Sequence, residues 1–150
     1  MQSLLTIWYG KRNTLLFILS SLLLCFLPAC QPETIEEPIK IGVIAYMNGD
    51  LIETEGLPTV NAARMALRDF ERDGGLVVNG VKKKVELVFE EIDQVKEEAV
   101  AATRKLINRE GVVAIVGPQY SSDGIPSGAV AEQSRVPMIC PVSTSPAVTR

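Results

Sequence analysis

Histidine is missing altogether from the 150-residue chain, and that absence removes several kinds of chemistry. A serine nucleophile needs a base such as imidazole to take its proton, so Ser121 beside Asp123 does not make a hydrolase. Metal sites built from His and Cys clusters are likewise out of reach. Cysteine is scarce: Cys25, Cys30 and Cys140 are the three. Lys and Arg together number 15 against 18 Asp and Glu, for a net charge of −3. A nucleic-acid binder needs a basic surface to meet phosphates, and this composition supplies none. Neither G-x-G-x-x-G nor the P-loop spacing occurs, so the usual dinucleotide and nucleotide cradles are absent. No cofactor or metal is called for, and the chain is not read as an enzyme.

The sequence does contain one long apolar run near its start. Lys11 and Arg12 precede residues 14–27, which are almost uniformly apolar. The run is short for a bilayer span of roughly 20 residues and fits the core of an export signal. A simple membrane anchor is the alternative. Leu27-Pro28-Ala29-Cys30 resembles the bacterial lipobox. That resemblance implies a lipoprotein-type signal peptide over residues 1–29, with a lipid on Cys30 as first mature residue. The product would be exported, periplasmic or at the cell surface, and anchored by acyl chains at about 0.8 kcal/mol per buried methylene. Residues 30–38, acidic and carrying Pro32 and Pro38, read as a tether. Cys25 leaves with the signal, so Cys140 has no partner for a disulfide. In its apolar segment Cys140 reads as a small packed side chain.

From residue 39 onward, strands and helices alternate. Residues 39–44 turn uniformly apolar, as an interior strand does. Residues 46–50 read as a loop with turn chemistry. Pro58 suits a helix start, and Val60, Ala63, Leu67 and Phe70 recur at helical spacing until Asp73-Gly74-Gly75 stops them. A turn at residues 78–81 and a solvated lysine turn at 82–84 precede a second strand with Val85, Leu87 and Phe89. Asp93 is the expected N-cap of a helix to about Arg109, with Val95, Ala99, Ala102, Leu106 and Ile107 inward and Gly111 terminating it. Residues 112–117 form a third strand. Ser121-Ser122-Asp123 offers N-cap side chains for a third helix, and residues 136–142 form a fourth strand whose start Pro137 puts at the sheet margin. The pattern implies an α/β fold: part of a doubly wound parallel sheet with helices on both faces.

In such sheets ligands bind beyond the carboxyl ends of the strands, where strand order reverses. Three loops lie there: 46–50, 118–123 and 143–146. None contains a lysine. Two are rich in hydroxyls and lead toward helix starts, whose free amides and positive dipole end suit a carboxylate. Ser121, Ser122, Ser143 and Thr144 are therefore candidate ligand contacts, with ordinary helix capping as the competing role. Tyr46 and Tyr120 read most simply as loop aromatics.

These residues together resemble the branched-chain amino-acid-binding (Leu/Ile/Val-binding) family of type I periplasmic solute-binding proteins. The resemblance covers residues 39–150. It runs through Ile39-Lys40-Ile41-Gly42-Val43, Gly56 with the helix from Asn61, Val116-Gly117-Pro118-Gln119-Tyr120-Ser121-Ser122, and Val136-Pro137-Met138-Ile139 leading to Ser143-Thr144-Ser145-Pro146. It implies a binding protein that captures an amino acid, branched-chain by preference, or a small amide for an ABC permease. It also implies that Ser121, Ser143 and Thr144 clamp the ligand's charged groups. Tyr120 and the loop holding Asn48 would line the side-chain pocket, and Ser122 would cap or touch ligand. Related lobes also serve as sensing ectodomains of receptors, which is the alternative. Family members have two lobes and well over twice this length, so residues 39–150 are expected to be a truncated first half of the N-terminal lobe. Half a lobe should leave apolar sheet and helix faces uncovered.

Overall fold

The structure is a computed structural model that describes residues 37–93 and 95–149. The expected signal, the lipid site at Cys30 and most of the tether lie outside the described residues.

Uniformly apolar sequence puts β1 (Ile39–Tyr46) in the middle of a four-stranded parallel sheet. Its neighbours are β4 (Val85–Ile92) on one side and β5 (Ala114–Val116) on the other, with β6 (Met138–Ile139) at the edge beyond β5. Ile41 pairs with Leu87 and also with Ala114. The chain thus moves from β1 out to β4 and then crosses back to β5. The order reverses between β1 and β5, which is the expected ligand crevice of a doubly wound sheet.

Alternation along β1 divides its side chains between two layers. Ile44 and Tyr46 join Ile92 and Ile115 in a core closed by Ala99 and Ala102 of α2 (Lys96–Lys105) and by Leu106 just after it. Gly42 lies directly beneath Leu106, so no side chain intervenes there. Ile39, Ile41 and Val43 face the opposite way, toward α1 (Leu57–Arg72). The helix does not seal that side. Of its expected apolar stripe only Val60 is buried, while Phe70 is 42% exposed. An apolar groove of about 810 Å³ runs between α1 and the sheet. The uncovered faces expected from the sequence are present.

Several boundaries differ from the sequence reading. Asn79 and Gly80 both have positive φ, 52° and 80°, the conformation of a two-residue hairpin turn. They join β2 (Leu76–Val78) to β3 (Val81–Lys83), with Lys82 opposite Val77. Two of the three lysines are therefore strand residues, not a solvated turn. Asp93 does not cap α2; Val95 does, and the Asp93 amide donates to Glu98 Oε2 at 2.8 Å. Glu98, at the N3 position, thus reaches two residues beyond the N-cap instead of closing a capping box on Val95. The helix closes with a wide π turn, Leu106–Glu110, and Gly111 ends it in the left-handed region as expected. On the face of β4 that α2 covers, Glu90, in register with Ile44, pairs with Lys105 at 2.7 Å. The fourth strand shrinks to two residues because Pro137 lacks an amide and residues 141–142 already turn.

Candidate functional site

The site grows from the carboxyl ends of β1 and β5. Tyr46 is not a loop residue: it is the last residue of β1 and is wholly buried. Two glycines allow other backbone to reach this strand end. A β-carbon on Gly56 would overlap the Tyr46 carbonyl, and one on Gly117 would overlap the Ile44 carbonyl. Gly117 also has φ +93°, a conformation that L side chains rarely adopt. Pro118 and Gln119 follow it into the interior.

The next residues open α3 (Ser121–Gln133). Its N-cap is Tyr120, with extended backbone and no side-chain cap. The expected capping by Ser121, Ser122 or Asp123 does not occur, because all three already lie inside the first turn. Asp123 and Gly124 donate their amides to the Tyr120 carbonyl at 3.2 and 2.8 Å. The amides of Ser121 and Ser122 are among the first of the helix and have no intrahelical acceptor.

Hydrogen bonds tie the two serine loops together. Ser143 donates its hydroxyl to the Gln119 carbonyl at 2.9 Å, and the Ser145 amide donates to Ser121 Oγ at 3.2 Å. Each such bond contributes about 1 kcal/mol net. Their greater effect is on geometry, since Ser121 and Ser143 now belong to one rigid edge. Ser121 retains its hydroxyl proton for an outside acceptor. Ser143 does not, so its hydroxyl is a loop tie and not a ready ligand donor. Ser122 aims its hydroxyl at Asp123 Oδ1, 3.3 Å away. Thr144 is exposed beside the ties and has no hydrogen-bond partner among the described residues. Asn48 is exposed too; Gly49 beside it lies against Asp93 at the end of β4. The structure gives Asn48 no hydrogen bond to the serine loops. Tyr120 is 39% exposed, packs its ring 5.3 Å from that of Tyr46, and donates to Glu55 Oε1 at 3.2 Å.

Tyr46, Asp123 and Gln119 take roles here that sequence reasoning did not give them. Tyr46 donates a hydrogen bond to buried Asp123, and burial together with that carboxylate pushes the tyrosine hydroxyl far above its usual range. Gln119 donates its side-chain amide to Thr59 Oγ1 and, at 3.4 Å, to the Glu55 carbonyl. This joins the turn before α1 to the loop after β5. The available signal was a polar-tipped tyrosine closing an apolar strand and an acid at the third position of a helix. Cys140 is half-buried, and burial raises its thiol although the neighbouring Ser143 hydroxyl works the other way. A packed, unreactive thiol fits that setting.

An amide-bearing helix start at the reversal of a parallel sheet accords with the comparison that decides the family. Residues 38–150 match the periplasmic binding protein family. The chain belongs to that family. Among relatives of this periplasmic binding protein is the leucine-specific-binding protein of Salmonella typhimurium, 29% identical over 116 residues, covering 76% of this chain and 29% of that one. The Leu/Ile/Val-binding protein of Escherichia coli K12 is 27% identical over 125 residues, covering 83% and 32%. Among solved structures, the branched-chain amino acid transporter substrate-binding protein LivJ from Streptococcus pneumoniae, in complex with isoleucine, superposes with a TM-score of 0.66. It is 29% identical, with 75% of this chain and 31% of that chain covered. An ABC transporter substrate-binding protein from Desulfitobacterium hafniense in complex with Leu gives 0.60 at 27% identity, covering 75% and 31%. The chain thus spans about three-tenths of the length of these relatives. The fold is that of a type I periplasmic binding protein, in part. The two solved relatives are named as transporter substrate-binding proteins, and they lend the sensing-receptor alternative no support.

Proposed function

We propose that this chain contributes the amide-bearing half of a cleft that captures an amino acid, branched-chain by preference, outside the cytoplasm for an ABC permease. The supporting observation is the pair of serine loops bound edge to edge at the sheet reversal. On this reading the ligand carboxylate meets the amides of Ser121 and Ser122 and the hydroxyl of Ser121. Thr144, the exposed hydroxyl of the neighbouring loop, is the second contact. Tyr120 borders the side-chain pocket. Several neutral donors then converge on one anion, a strong arrangement in a partly dry cleft.

Titration calorimetry of the purified protein with leucine, isoleucine, valine and small amides tests this reading. Uptake of at least one amino acid is expected, with a rise in thermal midpoint. Silence across the panel in both measurements would overturn it. Ser121→Ala should weaken the preferred ligand about tenfold, the cost of one hydrogen bond to a charged group.

The lipid anchor is a separate part of the proposal. Cys30 within Leu27-Pro28-Ala29-Cys30 carries it, and residues 31–38 hold the folded body off the membrane. Cells fed radiolabelled palmitate should label the wild-type protein, and Cys30→Ser should lose the label and leave the membrane fraction. Equal labelling of both proteins would refute the anchor.

A further inference from the structure

We propose that Tyr46 and Asp123 form a buried strut that positions the ligand loop, which makes Tyr46 a positioning residue for amino-acid binding; the inference rests on the functional reading above. Tyr46 ends β1 and Asp123 is the third residue of α3, so their hydrogen bond spans the gap where the strand order reverses. Both are enclosed, at 0% and 5% exposure. The Tyr46 hydroxyl donates to one carboxylate oxygen of Asp123 and the Ser122 hydroxyl to the other. Among the described residues no lysine or arginine pairs with Asp123.

Stability does not account for this choice. Apolar side chains of similar volume would join strand and helix as well or better, without desolvating a carboxylate. What the polar pair adds is direction. A hydroxyl–carboxylate bond fixes one rotation and height of the helix start above the strand end. The amides of Ser121 and Ser122 lie two and one residues upstream, so their aim is set by this bond. The Tyr120 ring, tilted 42° against Tyr46, is set by it as well. The bond has a second consequence. Asp123 stands within a helical turn of the place proposed for the ligand's own carboxylate. Hydrogen bonds that draw its charge toward Tyr46 and Ser122 lessen the repulsion between two like charges.

Three variants test the strut: Tyr46→Phe, Asp123→Asn and the pair combined. Each is measured by leucine titration and by thermal midpoint. Ile115→Val serves as control, since it trims the same core without touching the strut. Tyr46→Phe should weaken leucine about tenfold, and Asp123→Asn by a similar factor. The double variant should bind no worse than the weaker single, because both changes remove the same bond and the second also removes the stranded charge. Ile115→Val should lower the midpoint and leave the affinity unchanged. Leucine binding by Tyr46→Phe within about twofold of wild type would overturn the proposal, as would losses that simply multiply in the double variant. If wild type binds no amino acid, the functional reading and the strut's role fall together. If wild type binds and Tyr46→Phe is unaffected, the strut alone falls.

Discussion

Gly117→Ala should destabilise the protein by about 3–4 kcal/mol, the combined effect of a strained backbone and a displaced strand end. The added methyl would sit on the Ile44 carbonyl oxygen, which belongs to the central strand and cannot withdraw without disturbing the pairing of β1 with β4. Rotation away from φ +93° does not relieve the overlap cheaply, because the Gly117 amide donates to the Ile139 carbonyl at 2.8 Å. Denaturant titration followed by circular dichroism would show the loss as a lower midpoint. A shift of less than about 1 kcal/mol would mean that the loop after β5 is free to relocate, contrary to the close approach seen here. Leucine affinity should fall in the same variant, since Gln119, Tyr120 and Ser121 are all placed by this crossing.

A comparable loss, about 3 kcal/mol, is expected for Leu106→Ala. Leu106 is fully buried, and its side chain reaches across to Gly42, where no β-carbon stands to fill vacated space. The gap left by alanine would lie between the end of α2 and the middle of β1. Neither can close it, one held by the π turn and Gly111, the other by strands on both sides. The same denaturation measurement applies. Affinity should be nearly unchanged in folded protein, because the cavity opens toward the amino end of the sheet and not at the serine loops. Gly117→Ala and Leu106→Ala thus separate damage to the site from damage to the body.

The fold could be read from the sequence because parallel strands covered on both sides are almost wholly apolar. Residues 39–44 and 112–117 carry that signal with little ambiguity. The hairpin at residues 76–83 was harder: Asn79-Gly80 announces a turn, yet the flanking segments are only three residues each and the second ends in lysines. The helix starts were misread for one physical reason. Serine and aspartate favour capping wherever they appear near a helix start, but the first turn of α3 begins one residue earlier and uses the Tyr120 backbone. At the site, the serine loops were legible as neighbours. The use of each hydroxyl was not. Ser143 finds its acceptor 24 residues away, and Tyr46 finds its carboxylate 77 residues away. Such partners are fixed by topology and not by local pattern. A tyrosine after an apolar run looks like the first residue of a loop until the helix that covers it is in place.

The central position of β1 has a bearing on how the protein is made. Ile41 must find both Leu87 and Ala114, so neither side of the earliest strand among the described residues can be closed by its immediate successors. Pairings so distant along the chain form slowly and leave apolar side chains and unpaired backbone groups open in the meantime. One side of β1 therefore stays unpaired until residues 114–116 have been made.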